Sequence, residues 1–204
     1  MKAKPSLDLR SRIIDAAGKL FAEHGYQSVS MRRVADLAGC SQMAMYRHFK
    51  DKEALILYLC AGAYERFATR VNRTIEGLSD PRDRIFQIVK ATIRFAVSHP
   101  QHYRISMMMM MPQPELETPS PRERLAQVQL QRLQDDIRAL LPPNTTDALV
   151  QQRLHQILAC MHGMNMMLLA HPHTYGLTRE RAITEAQTAV LILLNQVPHV
   201  DAAP

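Results

Sequence analysis

Residues 30 to 55 read Ser-Met-Arg-Arg-Val-Ala-Asp-Leu-Ala-Gly-Cys-Ser-Gln-Met-Ala-Met-Tyr-Arg-His-Phe-Lys-Asp-Lys-Glu-Ala-Leu, two short helical patterns hinged at Gly39 and followed by a lysine-bearing helix start. In the first pattern Met31, Val34, Ala35 and Ala38 recur at helical spacing and can bury one face, while Arg32, Arg33 and Asp36 point to water. A glycine just past a last turn can take the left-handed conformation that closes a helix, and Ser41 can cap the next one by accepting a backbone N–H. The second pattern, Gln42 to Phe49, turns Met45 and Phe49 inward and leaves Gln42, Met43, Ala44, Arg47 and His48 outward. Two short helices joined by so tight a turn, with polar and basic residues on the outer face of the second, form the layout of a helix-turn-helix that reads DNA.

A helix in the major groove needs side chains that reach base edges. Arg pairs bidentately with guanine and Gln with adenine, so Arg32, Gln42 and Arg47 are the expected base readers, with Met43 offering apolar contact to thymine methyls. Phosphate contacts need donors that position without reading sequence. Ser30, Ser41, Tyr46, His48 and Lys52 supply hydroxyl, phenol, imidazole and ammonium groups in suitable places. Lys52 also sits near a helix start, where free N–H groups favour an anion.

Upstream, Ile13, Ala16, Ala17, Leu20 and Phe21 form a helical stripe that ends at His24, Gly25 and Tyr26, a third helix to cover the other two. The run from Ile14 to Tyr26, then Val34, Ala35, Ala38, Gly39, Ser41, the stretch Tyr46 to Phe49 and the stretch Lys52 to Leu55, closely resembles the N-terminal domain of the tetracycline-repressor (TetR) family of bacterial regulators. The resemblance covers roughly a quarter of the chain. It implies a DNA-binding module on a larger helical domain that dimerises and binds a small effector. The chain departs from the family pattern at Cys40, where Val is usual, and at Met43 and Ala44, where Gly or Pro and then Thr or Ser are common. The reading helix therefore offers fewer hydrogen bonds than most.

A length of 204 residues suits two helical domains, expected here as a helix-turn-helix domain over residues 1–53 and an effector-binding and dimerisation domain over 54–204. The net charge of +6 is uneven: the first 53 residues hold ten Lys and Arg against six acids, so the basic excess lies with the reader. Met1 to Ser6, with Lys2 and Lys4, resembles a flexible basic arm. Three cysteines far apart, Cys40, Cys60 and Cys160, with no CxxC, suggest neither a disulfide framework nor a zinc site, and no metal or cofactor is expected. No signal-like or membrane-spanning apolar run is found, so the expected home is the bacterial cytoplasm.

Beyond the reader the chain shows helical segments punctuated by Pro, Gly and acidic turns, with no alternating strand pattern, and an all-α fold is predicted. Helices are expected from Lys52 to about Arg73, with Leu55, Leu59, Ala63 and Phe67 on one stripe, and from about Pro81 to Ser98, with Ile85, Ile88, Val89, Thr92, Ile93 and Ala96 inward. A short one starts at Pro100, and three more run over about 122–141, 146–169 and 178–196. The last two are apolar round much of their circumference, so a partner is expected. Ala159, Gly163 and Ala170 on one, and Ala182, Ala186 and Ala189 beside Val190 and Leu194 on the other, predict a four-helix interface in a homodimer.

Nine of the 13 methionines fall after residue 106, in clusters at 107–111 and 161–167. A Met-rich wall adapts to apolar or aromatic ligands, and equally fills an irregular core. The family resemblance places an effector pocket among the body helices, and Tyr64, Phe67, Phe86, Ile93, Tyr103, Met107, Met110, Met111, His162, Asn165 and Met166 are its candidate walls. Cys160, Met164, Met167 and His171 share a stripe of soft ligands that copper(I) would accept, although packing is the commoner use of such residues. No catalytic triad or carboxylate pair points to an enzyme. The reading is a ligand-responsive transcriptional regulator, a repressor released from a palindromic operator in double-stranded DNA by a small apolar or aromatic effector. The alternatives are a DNA-bound scaffold that recruits a protein partner and a soft-metal or redox sensor.

Overall fold

A computed structural model describes residues 8–104, 107, 121–170 and 173–195. Among the described residues the fold is all-α, with no strand: α1 (Leu9–Ser28), α2 (Met31–Ala38), α3 (Gln42–Tyr46), α4 (Lys52–Ile75), α5 (Pro81–Ser98), α6 (Pro100–Tyr103), α7 (Pro121–Leu140), α8 (Asp147–Ala170) and α9 (Arg179–Asn195). The expected helices are all present, with ends shifted by a residue or two except in α3, which stops three residues early. Met110, Met111 and His171, and the basic arm over residues 1–6, lie outside the described residues.

The helices fall into two compact units, one drawn from Met1–Arg66 with His99–Arg124 and the other from Phe67–Ser98 with Leu125–Pro204. This division runs through α4 and returns α6 to the first unit, whereas the sequence pattern predicts a single cut after residue 53.

In the first unit the Asp8 carboxylate accepts the Ser11 backbone N–H at 2.7 Å and so caps α1. That hydrogen bond holds the Asp8 carboxyl below its ordinary range. The stripe Ile13, Ala16, Ala17, Leu20 and Phe21 is buried, as its spacing predicts, and the helix is interrupted at Gly25. These side chains close a core with Met31, Val34, Ala35 and Ala38 of α2, Met45 of α3, Phe49, and Leu55, Ile56, Leu59 and Cys60 of α4. A second cap, Asp51, accepts the Ala54 N–H at 2.7 Å and starts α4.

The second unit is built on α5, α8 and α9, which pack on one another. Ile85, Ile88, Val89, Thr92, Ile93 and Ala96 of α5 are buried as expected, and the buried Thr92 hydroxyl is satisfied by donating to the Ile88 carbonyl at 2.8 Å. On α8 the inward line is Val150, Arg153, Leu154, Ile157, Met161 and Asn165. On α9 it is Ala182, Ile183, Ala186, Val190 and Leu194.

That inward line corrects part of the expected dimer surface. Ala182, Ala186, Val190 and Leu194 are buried within their own unit, while Ala189 is half-buried. Ala159, Gly163 and Ala170 of α8 do face outward. Met166 joins them, 43% exposed, instead of lining an interior pocket: it stands three residues after Gly163 and four before Ala170, on the same helical face. Ile192, half exposed, is the large apolar side chain that α9 turns to solvent.

Arg84 fastens α5 to α7. Its Nε donates to Asp136 Oδ1 at 2.9 Å, a second guanidinium nitrogen reaches the same oxygen, and Nη1 donates to the carbonyls of Leu78 and Ser79. Asp136 is almost wholly buried and Arg84 a quarter exposed, so the pair is screened less than a surface one, and the hydrogen bonds to Asp136 hold the Arg84 guanidinium above its ordinary value. Asn72 of α4 adds a neighbouring tie by accepting from Gln129 and Arg132 of α7. Replacing Asp136 with Ala is expected to cost about 2–3 kcal/mol, since a buried, charge-assisted hydrogen-bond pair is lost. Urea unfolding checks this, and an unchanged midpoint would show that the pair contributes nothing net.

Candidate nucleic-acid interface

Helix α2 starts at Ser30, whose hydroxyl oxygen accepts the Arg33 N–H at 3.2 Å. Four of its five apolar residues, Met31, Val34, Ala35 and Ala38, are buried, so Arg32, Arg33, Asp36 and Leu37 are left on the outer side, with Leu37 half exposed. Gly39 ends it with φ 65° and ψ 45°, a left-handed conformation in which a Cβ would crowd the following carbonyl. The turn is closed by Gly39 N–H to the Asp36 carbonyl at 3.2 Å and Cys40 N–H to the Ala35 carbonyl at 3.0 Å. Ser41 then caps α3 by accepting the Ala44 N–H at 3.1 Å. In both caps the serine uses an oxygen lone pair, so each O–H proton stays available for a phosphate oxygen.

Helix α3 is shorter than expected. It runs Gln42–Tyr46, and the chain coils on through the N–H groups of His48 and Phe49, which both reach the Met45 carbonyl. Met45 and Phe49 are buried. The opposite side carries the expected readers Gln42, Met43 and Arg47, exposed, with Arg32 of α2 exposed as well. Met43 is 71% exposed. Ser30, Ser41, Tyr46 and His48 are exposed too.

Lys52 is placed differently from the free phosphate donor that the sequence predicts. Its ammonium lies 4.2 Å from the centre of the Tyr26 ring and donates to the Gln27 carbonyl at 3.4 Å, and burial pulls its pKa below the ordinary lysine value. It ties the start of α4 to the end of α1. Arg33 is also engaged, its Nη2 2.8 Å from His24 Nε2. Neither contact is visible in local sequence, because each partner lies beyond the reach of helical spacing.

The expected effector walls divide between the units. Tyr64 and Tyr103 are buried and Met107 half-buried in the first, and Arg122 sets its guanidinium 5.4 Å from the Tyr64 ring centre. In the second, Phe67, Ile93 and Asn165 are buried and Phe86 and His162 half-buried, and Phe67 meets Phe95 at 5.3 Å between ring centres. Burial pushes His162 toward its neutral form. A cleft of about 670 Å³ in the second unit is instead walled largely by polar and charged residues, Asn72, Arg73, Glu76, Arg84 and Arg132 among them, and it shares no residue with the expected set. Burial raises the Cys60 thiol to about 11, which keeps it protonated at neutral pH, and shifts Cys160 in the same direction. No group of three His, Cys, Asp or Glu among the described residues is placed to hold a metal ion, and none of their helices is long and apolar enough to cross a membrane.

Residues 13–59 match the family profile described as bacterial regulatory proteins, tetR family, and residues 85–191 match the tetracyclin repressor-like C-terminal domain. Among curated relatives, the HTH-type transcriptional activator FasR of Mycolicibacterium smegmatis is 29% identical over 101 residues, 50% of this chain and 46% of its own. An HTH-type transcriptional repressor of Mycobacterium tuberculosis is 41% identical over 69 residues, 34% of this chain and 36% of its own. The matched stretches span less than half the length of these relatives. Among solved structures, a protein of unknown function from Rhodococcus sp. RHA1 superposes with a TM-score of 0.72 at 19% identity, covering 96% of this chain and all of that one. FadR from Bacillus subtilis in complex with stearoyl-CoA gives 0.71 at 16%, covering 92% and 99%. Both show a shared fold.

Replacing Gly39 with Ala is expected to destabilise the first unit by about 1–2 kcal/mol, the cost of a Cβ in the left-handed region. Chemical denaturation followed by circular dichroism measures it, and a stability equal to wild type would mean that the turn relaxes to another conformation.

Proposed function

Since the chain belongs to the TetR family of bacterial regulatory proteins, we propose that it is a cytoplasmic homodimeric repressor that leaves a palindromic operator when a small apolar effector binds its helical body. The observation that carries this reading is the exposed set Arg32, Gln42, Met43 and Arg47 on a helix pair whose opposite faces are buried. Arg and Gln supply bidentate hydrogen bonds to guanine and adenine, and Met43 supplies contact to thymine methyls. Ser30, Ser41, Tyr46 and His48 would bind phosphate, which positions the reader without reading sequence.

Two readers on one palindrome need two copies. The outward stripe Ala159, Gly163, Met166 and Ala170 supports α8 as the place where they meet. A Cβ built on Gly163 meets no atom of the subunit within 4 Å, although glycine costs about 1 kcal/mol relative to alanine inside a helix. A close-packed helix from a second copy is a reason for the missing side chain.

For the effector, support comes from the fold shared with FadR of Bacillus subtilis, which was solved with stearoyl-CoA. Regulation needs little energy. About 1.4 kcal/mol of preference for the geometry that does not bind DNA shifts operator occupancy tenfold.

Selection of duplexes from a random library by the purified chain is expected to yield two short half-sites with centres about 34–36 Å apart, one turn of B-DNA. Sequence-blind binding would favour the scaffold reading instead. With the selected duplex, Arg47→Ala or Arg32→Ala is expected to weaken binding by about 1–3 kcal/mol and relax preference at one base pair, measured by fluorescence anisotropy. Gly163→Glu is expected to give monomers in sedimentation, because it places an unpaired charge where two helices approach. A dimer of unchanged stability would remove α8 from the interface.

A further inference from the structure

Arg10 ties three segments of the first unit together at one point. Its guanidinium carbon lies 4.3 Å from the ring centre of Tyr58 on α4 and 5.3 Å from that of Phe49, which ends the coil after α3. Arg10 Nη1 also donates to the Tyr58 hydroxyl at 3.0 Å. The two rings meet edge to face, 5.6 Å between centres at 61°. One planar cation from the first turn of α1 thus engages the end of the reading helix and the second turn of α4.

Packing alone leaves this arrangement unexplained. Phe49 is buried and its depth is set by the core, but Tyr58 is 42% exposed and the guanidinium is bonded at the surface. Apolar burial is non-directional, whereas a cation over a ring face and an N–H aimed at a hydroxyl fix an angle. Arg47 and His48 precede Phe49 directly, so the angle fixed at Phe49 is inherited by the groups that face the duplex.

We propose that Arg10 is a positioning residue for DNA reading, which sets the end of the recognition helix against α4 through Phe49 and Tyr58. The inference rests on the reading of the chain as a DNA-binding regulator. It differs from a phosphate role, because the guanidinium is committed to two rings and a hydroxyl within its own unit and releases no counterion from DNA.

The test is a double-mutant cycle on the full chain with Arg10→Met, Tyr58→Leu and both, measured on the selected operator and on random DNA across a salt series. Each single variant is expected to lower operator affinity on the order of threefold to tenfold, the worth of a cation–π contact, and to leave random DNA within about twofold. The double variant is expected to be no weaker than the weaker single, as for two residues that share one interaction. Tyr58→Phe, which keeps the ring, is expected to retain most of the affinity, while Arg10→Lys, which keeps the charge and loses the planar stack, is expected to lose it. Additive effects, an unchanged operator-to-random ratio, or parallel loss on both DNAs would overturn the proposal. So would a fall of about one in the salt slope with Arg10→Met, which marks a phosphate contact. Wild-type protein with no operator preference would instead overturn the DNA-reading function itself, and the positioning role with it.

Discussion

A five-residue helix cannot hold itself together. Isolated helices shorter than about 12–15 residues are marginal in water, because fixing the first turn costs several dihedral angles for one hydrogen bond. Helix α3 has five residues and α2 eight, so both exist only where their apolar sides are buried against α1 and α4. The need to shelter one short helix organises the whole first unit. Met45, wholly buried, anchors α3 from below, and Val34 and Ala35 do the same for α2. What remains outward is settled by elimination, and it is the basic and amide-bearing set that a duplex can meet.

Burial alone would leave the orientation of that short helix loosely specified, and the polar contacts supply the rest. Ser30 and Ser41 satisfy N–H groups that a short helix has in excess, since the first four donors of any helix lack internal partners. Gly39 lets the chain reverse without lengthening the turn. Lys52 over Tyr26 and Arg10 over Phe49 and Tyr58 then engage the segment where α4 begins. Each joins residues from α1 to residues at or just before α4, and both use aromatic faces at positions where an ion pair would lose most of its strength to water.

The helix-turn-helix was legible in the sequence because its determinants are local. Capping serines, a glycine at the hinge and apolar residues three and four apart leave their mark within a few residues. The same held for α5, whose amphipathic pattern named its buried face correctly. In α8 and α9 periodicity cannot choose a face, because apolar residues occupy nearly every side, and Ala182, Ala186, Val190 and Leu194, expected from the sequence at a partner, fill the core of their own unit. Met166 was misplaced for the same reason. The cation–π contacts were illegible on other grounds: Arg10 and Tyr58 are 48 residues apart, and nothing in the composition of either neighbourhood marks them as partners.

Helix α4 contributes to the core of both units, with Leu55, Ile56, Leu59 and Cys60 buried in the first and Phe67, Ala68 and Val71 buried toward its other end. Its two N-terminal turns carry the ties to α1, and those ties are worth about 0.5–2 kcal/mol each. That is the scale on which a regulator operates, where tenfold in occupancy corresponds to about 1.4 kcal/mol. A fully buried ion pair at the same junction would cost far more to rearrange, and apolar packing alone would let it slide. Under the proposed function, directional contacts of modest strength at the start of α4 therefore suit a reading head held firmly enough to select a sequence and loosely enough to be released.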